Sequence, residues 1–162
     1  MRYYHGSFYC LPVGTILRPA PAVHGYNPRQ EQGIEAARPS GAVSRERAVF
    51  AVSRASLAAR SGAAADYVYE IRPLGRVSGP YDGGWMSIIV GLHPYPDELA
   101  DAARSYWSGE RCRLIDCAGT LEWLLEDGAK IVRVVSPQEA DAATCAGRHA
   151  RRLPEWGIRE RR

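Results

Sequence analysis

Short runs of hydrophobic and aromatic residues recur along the chain and alternate with polar, glycine-rich connections. Runs of about four to eight such residues, bounded by turn-forming residues, are typical of β-strands. The predicted strands lie within residues 1–9, 11–17, 48–52, 67–71, 86–90, 121–125 and 130–135. The last two are joined through Glu126-Asp127-Gly128, which predicts a tight hairpin. The pattern therefore predicts a domain with many short strands.

Helical patterns separate these strands at a few places. Ser53 offers an N-cap to an alanine-rich helix over residues 54–61. Residues 96–107 fit a second helix, whose first turn carries acidic side chains at the positive end of the helix dipole. Residues 20–44 are rich in Gly, Pro, Arg and Gln and predict an irregular segment that covers a binding site or is mobile, with one helical turn around residues 30–37. The sum is an α+β domain.

Length and composition narrow the class of protein. With 162 residues, the chain is long enough for one domain with its own core and too short for two of ordinary size. No stretch approaches the roughly 18 apolar residues needed to cross a bilayer, and the start lacks the apolar core of a signal peptide. We therefore expect no membrane partner. We also expect a protein that stays in the cytoplasm where it is made, or one delivered into a target cell without a cleaved signal.

Cysteines and charges add little to this picture. Cys10, Cys112, Cys117 and Cys145 show neither a CxxC pair nor a metal-finger spacing, so we expect free thiols and no metal site. The net charge of +3 is mild, but arginines crowd residues 137–162. Such a segment could hold an acidic partner or nucleic acid, although a solvated terminus is the more common outcome.

Two residues are candidates for chemistry. His5 lies in or just after a strand, beside Gly6, where a histidine is more often structural than catalytic. Glu122 lies in an otherwise apolar strand, where its carboxylate must face solvent or a cleft because burying an unpaired charge is costly. Strand alternation places Glu122 on the same side as Leu124. The pattern alone leaves both orientations of Glu122 open.

The chain carries Tyr4-His5-Gly6-Ser7 in its first strand, then a middle strand followed by a helix that Ser53 begins, and later the strand with Glu122. The order of these segments resembles that of the ADP-ribosyltransferases of the diphtheria-toxin and poly(ADP-ribose) polymerase type, and Tyr4-His5-Gly6-Ser7 matches the family's His-Gly-Ser/Thr opening. Residues 11–19 are similar to the segment that follows this opening in rifamycin-modifying ADP-ribosyltransferases. Residues 49–59 resemble the family's second strand and helix, residues 121–125 the strand that bears its glutamate, and residues 130–135 its closing strand.

The resemblance implies a particular α+β architecture, with two packed, mostly antiparallel sheets around an NAD cleft and a few helices. It implies a catalytic domain over residues 1–136, followed by a basic C-terminal extension over residues 137–162. NAD⁺ would be the co-substrate, and the enzyme would transfer its ADP-ribose group to an acceptor with release of nicotinamide.

The resemblance also implies roles for individual residues. Breaking the nicotinamide–ribose bond builds positive charge on the ribose, which a fixed carboxylate stabilises. By resemblance Glu122 is that carboxylate, and it could also orient a ribose hydroxyl or accept the acceptor's proton. His5 would hydrogen-bond the adenosine-side ribose, and the backbone of Gly6 would pair with the nicotinamide amide. The implied catalytic pair is Glu122 and His5, and the implied NAD⁺-binding set is Tyr4, His5, Gly6, Ser7, Phe50 and Ser53.

The sequence departs from the family pattern at several positions. Val49 or Phe50 stands where the family has a tyrosine in its second strand, and only Phe50 could stack on the nicotinamide. Thr120, two residues before the implied glutamate, argues against a standard arginine-specific enzyme. Asp82 is a rival acid by likeness to the rifamycin-modifying members, although its Asp-Gly-Gly context is also a plain turn signal.

Three further residues complete the set of candidates. Tyr106 and Trp107 could form a wall of the cleft or an acceptor platform, or they could pack at a helix end. Glu110, close behind them, is a possible second acid.

The sequence thus predicts a mono-ADP-ribosyltransferase that acts on a protein side chain, either a bacterial effector or toxin or a phage-encoded modifier. One alternative is the same reaction on a small molecule such as a rifamycin antibiotic. The other is a non-catalytic domain of the same fold that binds NAD⁺ or a partner protein, which the missing tyrosine favours.

Overall fold

A computed structural model describes residues 1–19, 28–58, 65–91, 95–113 and 121–135, which form seven strands, three longer helices and one short helix. The strands are β1 (Tyr3–Ser7), β2 (Ile16–Leu17), β3 (Ala48–Val52), β4 (Tyr67–Pro73), β5 (Val77–Asp82), β6 (Leu121–Glu126) and β7 (Ala129–Val134). The helices are α1 (Pro28–Ala36), α2 (Ala55–Ala58), α3 (Gly84–Gly91) and α4 (Pro96–Ser108), and a 3₁₀ turn at Arg45–Arg47 leads into β3. The predicted α+β class is confirmed.

The seven described strands form one antiparallel sheet in the order β2-β7-β4-β1-β3-β6-β5. The junction between β1 and β3 consists of a single residue pair, Tyr4 with Val52, whereas β1 pairs with β4 along its whole length. The sheet therefore has two halves, β2-β7-β4-β1 and β3-β6-β5, joined by a narrow bridge. The predicted pair of separate sheets is corrected to one sheet, because hydrogen bonding continues across this bridge.

The two halves fold over onto each other. Strands β6 and β7 lie four strand spacings apart in the sheet order, which would be about 19 Å in a flat sheet. Only Asp127 and Gly128 connect them, and three steps along the chain span at most about 11 Å. A buried cluster between the halves contains side chains of both: Val49, Ala51, Trp123 and Leu125 from one, and Tyr69, Ile71, Ala129 and Ile131 from the other.

The predicted hairpin between β6 and β7 is therefore wrong, although the tight turn exists. Asp127 and Gly128 both adopt positive φ, at 63° and 102°, as a tight turn of this kind requires. The two strands leave the turn towards different partners, β6 to β3 and β7 to β4. The turn signal is local, whereas the choice of pairing partner depends on distant residues.

The predicted strand at residues 86–90 is also wrong, since these residues belong to helix α3. The Asp82 side chain accepts a hydrogen bond from the Gly84 N–H at 2.9 Å, as an N-cap does at a helix start. Met86 and Ile89, three residues apart, are the apolar side chains that α3 buries. A short apolar run does not distinguish a buried helix from a strand by periodicity alone. Strand β5, just before it, was not predicted.

Other expectations are confirmed in part. The helix predicted over residues 96–107 is α4, which ends at Gly109 in the left-handed conformation with a φ of 74°. The helical turn predicted around residues 30–37 is α1. In the helix predicted over residues 54–61, the structure describes α2 up to Ala58, and the remaining residues lie outside the described ranges.

The expectation of free thiols holds for Cys112, which is free and buried, and is corrected for Cys10. Cys10 is disulfide-bonded, whereas Cys117 and Cys145 lie outside the described residues. Cysteine spacing alone does not reveal such a pairing.

Helices α1, α3 and α4 cover the outer face of the half-sheet β3-β6-β5. Leu124 of β6 and Tyr81 of β5 face this layer and are buried against it. The helices contribute Ile34, Met86, Ile89, Leu99, Ala102, Ala103, Tyr106 and Trp107 to the same cluster. Alternation along β3 and β6, in register through the pair Phe50 and Leu124, puts Phe50 and Glu122 on this helix-covered face as well.

Candidate functional site

The strand that carries the Tyr4-His5-Gly6-Ser7 motif lies where the sheet opens. Tyr4 is the last residue of β1 paired with β3, and its side chain packs against Val52 and Val68. From His5 onward β1 stays paired with β4 alone. Because successive residues of a strand direct their backbone groups to opposite sides, at least one N–H and C=O between His5 and Ser7 faces the opening.

His5 spans the opening with its ring. Its Nδ1 lies 2.9 Å from the Phe50 carbonyl oxygen, which can only accept, so Nδ1 carries the hydrogen. Burial lowers the pKa of His5, against the opposing effect of the hydrogen bond to Phe50. The ring is therefore neutral at pH 7, and its Nε2 is an acceptor suited to a hydroxyl group.

The remaining motif residues have local roles. Gly6 pairs with Val68 of β4. The Ser7 hydroxyl accepts a hydrogen bond from the Tyr9 N–H at 3.0 Å, which fixes the turn after β1 and leaves the hydroxyl hydrogen available to donate. Ser53, also predicted to bind NAD⁺, lies between β3 and α2 and makes no side-chain hydrogen bond within the described part of the chain.

The Glu122 side chain points towards the protein rather than towards bulk solvent, because it lies on the same face of β6 as Leu124. Its Oε1 accepts two hydrogen bonds, from the Tyr106 hydroxyl at 2.6 Å and from Nη1 of Arg45 at 2.8 Å. Its Oε2 receives none from the described residues and is not buried. The side chain keeps 17% of its surface exposed. One oxygen is thus fixed and the other is accessible.

Arg45 is the centre of this arrangement. Its guanidinium lies 4.7 Å from the centroid of the Phe50 ring and 5.1 Å from that of Tyr106, and Nη1 donates to the Tyr106 hydroxyl at 2.6 Å. Burial alone would lower the pKa of Arg45, but the Tyr106 oxygen and the carboxylates of Glu122 and Glu31 outweigh it and raise the pKa. Arg45 is therefore a permanent buried cation, 3% exposed.

A second carboxylate meets Arg45 from helix α1. Glu31 is buried, and its Oε2 lies 3.8 Å from Nε of Arg45. Neither carboxylate oxygen of Glu31 nor Nε of Arg45 has a hydrogen-bond partner among the described residues. Burial raises the pKa of Glu31, and the negative charges of Glu35, Glu46 and Glu122 add to this while Arg45 opposes it.

His5 and Glu122 both lie near Phe50, but their side chains do not contact each other. By alternation His5 lies on the face of its partner Tyr69, whereas Glu122 lies on the helix-covered face. Phe50 connects them, since its carbonyl accepts from His5 and its ring lies against the Arg45 guanidinium that binds Glu122.

The other candidate residues have structural contacts. Asp82 is buried, with its two oxygens accepting from the backbone N–H groups of Gly84 and Cys112, so it holds the start of α3 to the segment after α4. The side chain of Glu110 is exposed, and only its backbone atoms make the hydrogen bonds that the structure describes.

Tyr106 and Trp107 are buried, and their rings pack edge to face, as the packing interpretation predicted. The Trp107 indole donates to the Ile34 carbonyl. Tyr106 nevertheless also belongs to the site, through its bond to Glu122. Burial raises the pKa of Tyr106 well above 10, so its hydroxyl remains a donor.

Sequence reasoning missed Arg45 and Glu31. Arg45 belongs to the polar run Ser44-Arg45-Glu46-Arg47 before β3, and nothing in that run distinguishes it from the exposed Arg47. Glu31 lies in the helical turn predicted around residues 30–37, but its sequence context gives it no role. Their proximity to Glu122 depends on the packing of α1 against α4 and on strand pairing, which no local pattern contains.

Comparison of the chain with models of known protein families finds no matching family, and comparison with curated proteins finds no similar one. Within the described residues, no three His, Cys, Asp or Glu side chains cluster as metal ligands would. The helices that the structure describes include none long and apolar enough to span a membrane.

Proposed function

We propose that this protein is an NAD⁺-dependent mono-ADP-ribosyltransferase whose acceptor is a protein side chain. The observation that carries the proposal is the arrangement of Glu122, which has one oxygen fixed by Arg45 and Tyr106 and the other accessible. A carboxylate held in this way is preorganised to stabilise positive charge that develops beside it. The neutral His5 of the motif strand β1, which is hydrogen-bonded to the Phe50 carbonyl, also supports the proposal.

The proposed reaction breaks the bond between the ribose C1′ and the nicotinamide nitrogen, whose electron pair leaves with nicotinamide. The ribose becomes positively charged in the transition state, and Oε2 of Glu122 stabilises that charge. The acceptor nucleophile then forms a bond to C1′ and releases its proton. Glu122 could take up this proton through Oε2, since Oε1 is already engaged by two donors.

The β1 motif would bind rather than react. Nε2 of His5 would accept a hydrogen bond from a ribose hydroxyl, and a backbone N–H and C=O between His5 and Ser7 would pair with the nicotinamide amide. Because Phe50 presents its ring to Arg45, we assign it no stacking on the nicotinamide.

We also retain a bacterial effector, toxin or phage-encoded modifier as the proposed biological setting. The disulfide of Cys10 supports delivery out of the compartment of synthesis over retention in the cytoplasm, because disulfides persist mainly in oxidising surroundings.

The test compares wild type with Glu122→Gln, and with Glu126→Gln as the matched control. Both glutamates lie on β6 and both pair with an arginine, but only Glu122 belongs to the site. Nicotinamide release from NAD⁺ and labelling of proteins in a lysate are measured. We expect Glu122→Gln to lower the rate at least ~10²-fold with NAD⁺ affinity retained, and Glu126→Gln to leave it unchanged. Wild-type protein that releases no nicotinamide and labels no acceptor contradicts the proposal.

A second measurement addresses the motif strand. Changing His5 to alanine removes the Nε2 acceptor and should weaken NAD⁺ binding, measured by calorimetry. Changing Tyr9 to alanine, at an exposed position just beyond the motif, should not. Unchanged affinity in the His5 variant would remove the ribose contact from the proposal.

One observation favours a second candidate, a non-catalytic domain that binds NAD⁺ or a partner protein. Glu122 forms an ion pair with a buried arginine, and such pairs also occur as purely structural features. In that case NAD⁺ binds without turnover, and Glu122→Gln changes only the stability of the fold.

A thermal-shift screen with rifamycins, run beside the protein-labelling assay, tests the small-molecule acceptor.

A further inference from the structure

Arg45 contacts Glu122 at Oε1, away from the accessible oxygen Oε2. Nη1 of Arg45 binds Oε1 of Glu122, and the guanidinium packs between the rings of Phe50 and Tyr106. With only 3% of its side chain exposed, Arg45 has no surface from which to touch a bound substrate. Arg45 can therefore be in contact with a reaction at Oε2 only through Glu122.

Helix α1 holds Arg45 in this position from the opposite side. Oε1 of Glu35 accepts the backbone N–H of Arg45 at 2.9 Å, which fixes the 3₁₀ turn to the helix. The buried carboxylate of Glu31 lies 3.8 Å from Nε and places a second negative charge beside the guanidinium. The cation thus lies between two carboxylates, one from α1 and one from β6, and the aromatic rings limit its movement.

We propose that Arg45 is the positioning residue of the reaction: by holding Oε1 of Glu122 against Tyr106, it directs Oε2 alone towards the sugar. This inference rests on the proposed transferase function. It explains why the site retains a buried cation next to a carboxylate that must stabilise positive charge. A freely rotating glutamate would have to be ordered in each catalytic cycle, and misplacement of a catalytic group by about 1 Å can cost ~10² in rate.

The position of Arg45 predicts which kinetic constant, kcat or KM, its replacement should change. Arg45→Lys keeps the charge but loses the planar guanidinium that packs against two rings while it binds Glu122. We expect kcat to fall ~10-fold or more while KM for NAD⁺ changes little, because Arg45 does not contact the substrate. A raised KM with unchanged kcat contradicts the inference. The raised KM would make Arg45 a direct ligand of the substrate, and the unchanged kcat would show that it has no influence on Glu122.

A double-mutant cycle separates positioning from simple maintenance of the fold. If Arg45 acts only through Glu122, then Arg45→Lys should lower kcat in the wild-type background and have almost no effect on the residual rate of Glu122→Gln. A structural role would lower the rate by the same factor in both backgrounds. Glu126, which lies on the same strand as Glu122, forms an exposed pair with Arg76. This pair supplies a control cycle, Arg76→Lys with Glu126→Gln, for which no change of kcat is expected.

The outcomes remain distinguishable from failure of the proposed function. Active wild type with additive effects of Arg45→Lys and Glu122→Gln overturns the positioning role and leaves the transferase intact. Inactive wild type overturns both. Should Arg45→Lys not fold, as judged by circular dichroism, Tyr106→Phe replaces it in the same cycle, since it removes the other donor to Oε1 without adding or removing a charge. An additive result in that cycle likewise contradicts the fixing of Oε1.

Discussion

Strand β6 carries two glutamates four residues apart, and each forms an ion pair with an arginine. Glu126 accepts from Nε and Nη2 of Arg76 at 3.0 and 3.2 Å, the bidentate geometry typical of a strong pair. Glu122 accepts from a single guanidinium nitrogen of Arg45, at 2.8 Å. By contact geometry alone, the Glu126 pair ranks as the stronger of the two.

Exposure reverses that ranking. The side chains of Arg76 and Glu126 are 53% and 25% exposed, so solvent screens their attraction and each can be hydrated when the other is removed. Arg45 lies in the interior between two rings and two carboxylates, where an ion left without its partner is costly. The surroundings of an ion pair, rather than its number of hydrogen bonds, therefore decide its weight in stability and chemistry.

The largest effect should come from breaking the buried pair by Arg45→Met. This change leaves two carboxylates, Glu31 and Glu122, without their shared cation. We expect the free energy of unfolding to fall by about 3–5 kcal/mol, as measured by urea titration. Adding Glu31→Gln and Glu122→Gln to Arg45→Met should restore part of the loss, because no uncompensated charge then remains. If the single variant loses less than the Arg76→Met variant, the contrast between the two pairs is wrong.

A smaller loss should follow from removing the ring beneath the guanidinium. Phe50→Leu keeps an apolar side chain on β3 but loses the cation–π contact with Arg45, which should cost about 1–2 kcal/mol at a desolvated site. Phe50→Tyr keeps the ring face and serves as the control. Equal unfolding free energies for the two variants would show that the contact between the ring and the guanidinium adds no stability.

Glu31 should make stability depend on pH in a particular direction. Burial raises its pKa in the folded protein above the ordinary value of 4.5, so between these two pKa values the folded state binds more protons than the unfolded state. Stability should therefore fall as pH rises through this interval. Glu31→Gln should flatten the fall, measured as unfolding free energy from pH 4 upward. A steeper fall in the variant would contradict the raised pKa.

The smallest effect is expected at the exposed pair. Arg76→Met should change the free energy of unfolding by about 0.5 kcal/mol or less, and added salt should reduce even that difference. The measurement is urea unfolding at low and high ionic strength. A loss above about 2 kcal/mol would show that bidentate geometry outweighs exposure after all.

Local patterns predicted much of the fold, because they reflect short-range physics. The strands at residues 48–52 and 67–71 and the helix α4 lie where their periodicity places them. Alternation also put Glu122 on the side of Leu124, which is the helix-covered face. Residues 86–90 of helix α3 were predicted to be a strand, because a short apolar run does not distinguish a buried helix from a strand by periodicity.

The site itself could be predicted only in part, since its geometry depends on long-range packing. Glu122 and His5 were predicted from residue type and order and stay predictions, whereas Arg45 reaches Glu122 from a different part of the chain. The turn at Asp127 and Gly128 predicted a hairpin, yet β6 pairs with β3 and β7 with β4. Partner choice of this kind depends on which faces are apolar across the whole sheet.

The two-residue link between β6 and β7 has a consequence for the order in which the protein can be completed during synthesis. Strand β4 is made long before β7, and until then one of its edges carries unpaired N–H and C=O groups. The same holds for β3 and β5, which await β6. Because the link delivers β7 directly after β6, the ribosome closes both halves of the sheet almost together. Since β2 also pairs only with β7, the nascent chain carries four strands with open edges until a single late stretch of about fourteen residues emerges. Chaperones should be needed most before that stretch emerges.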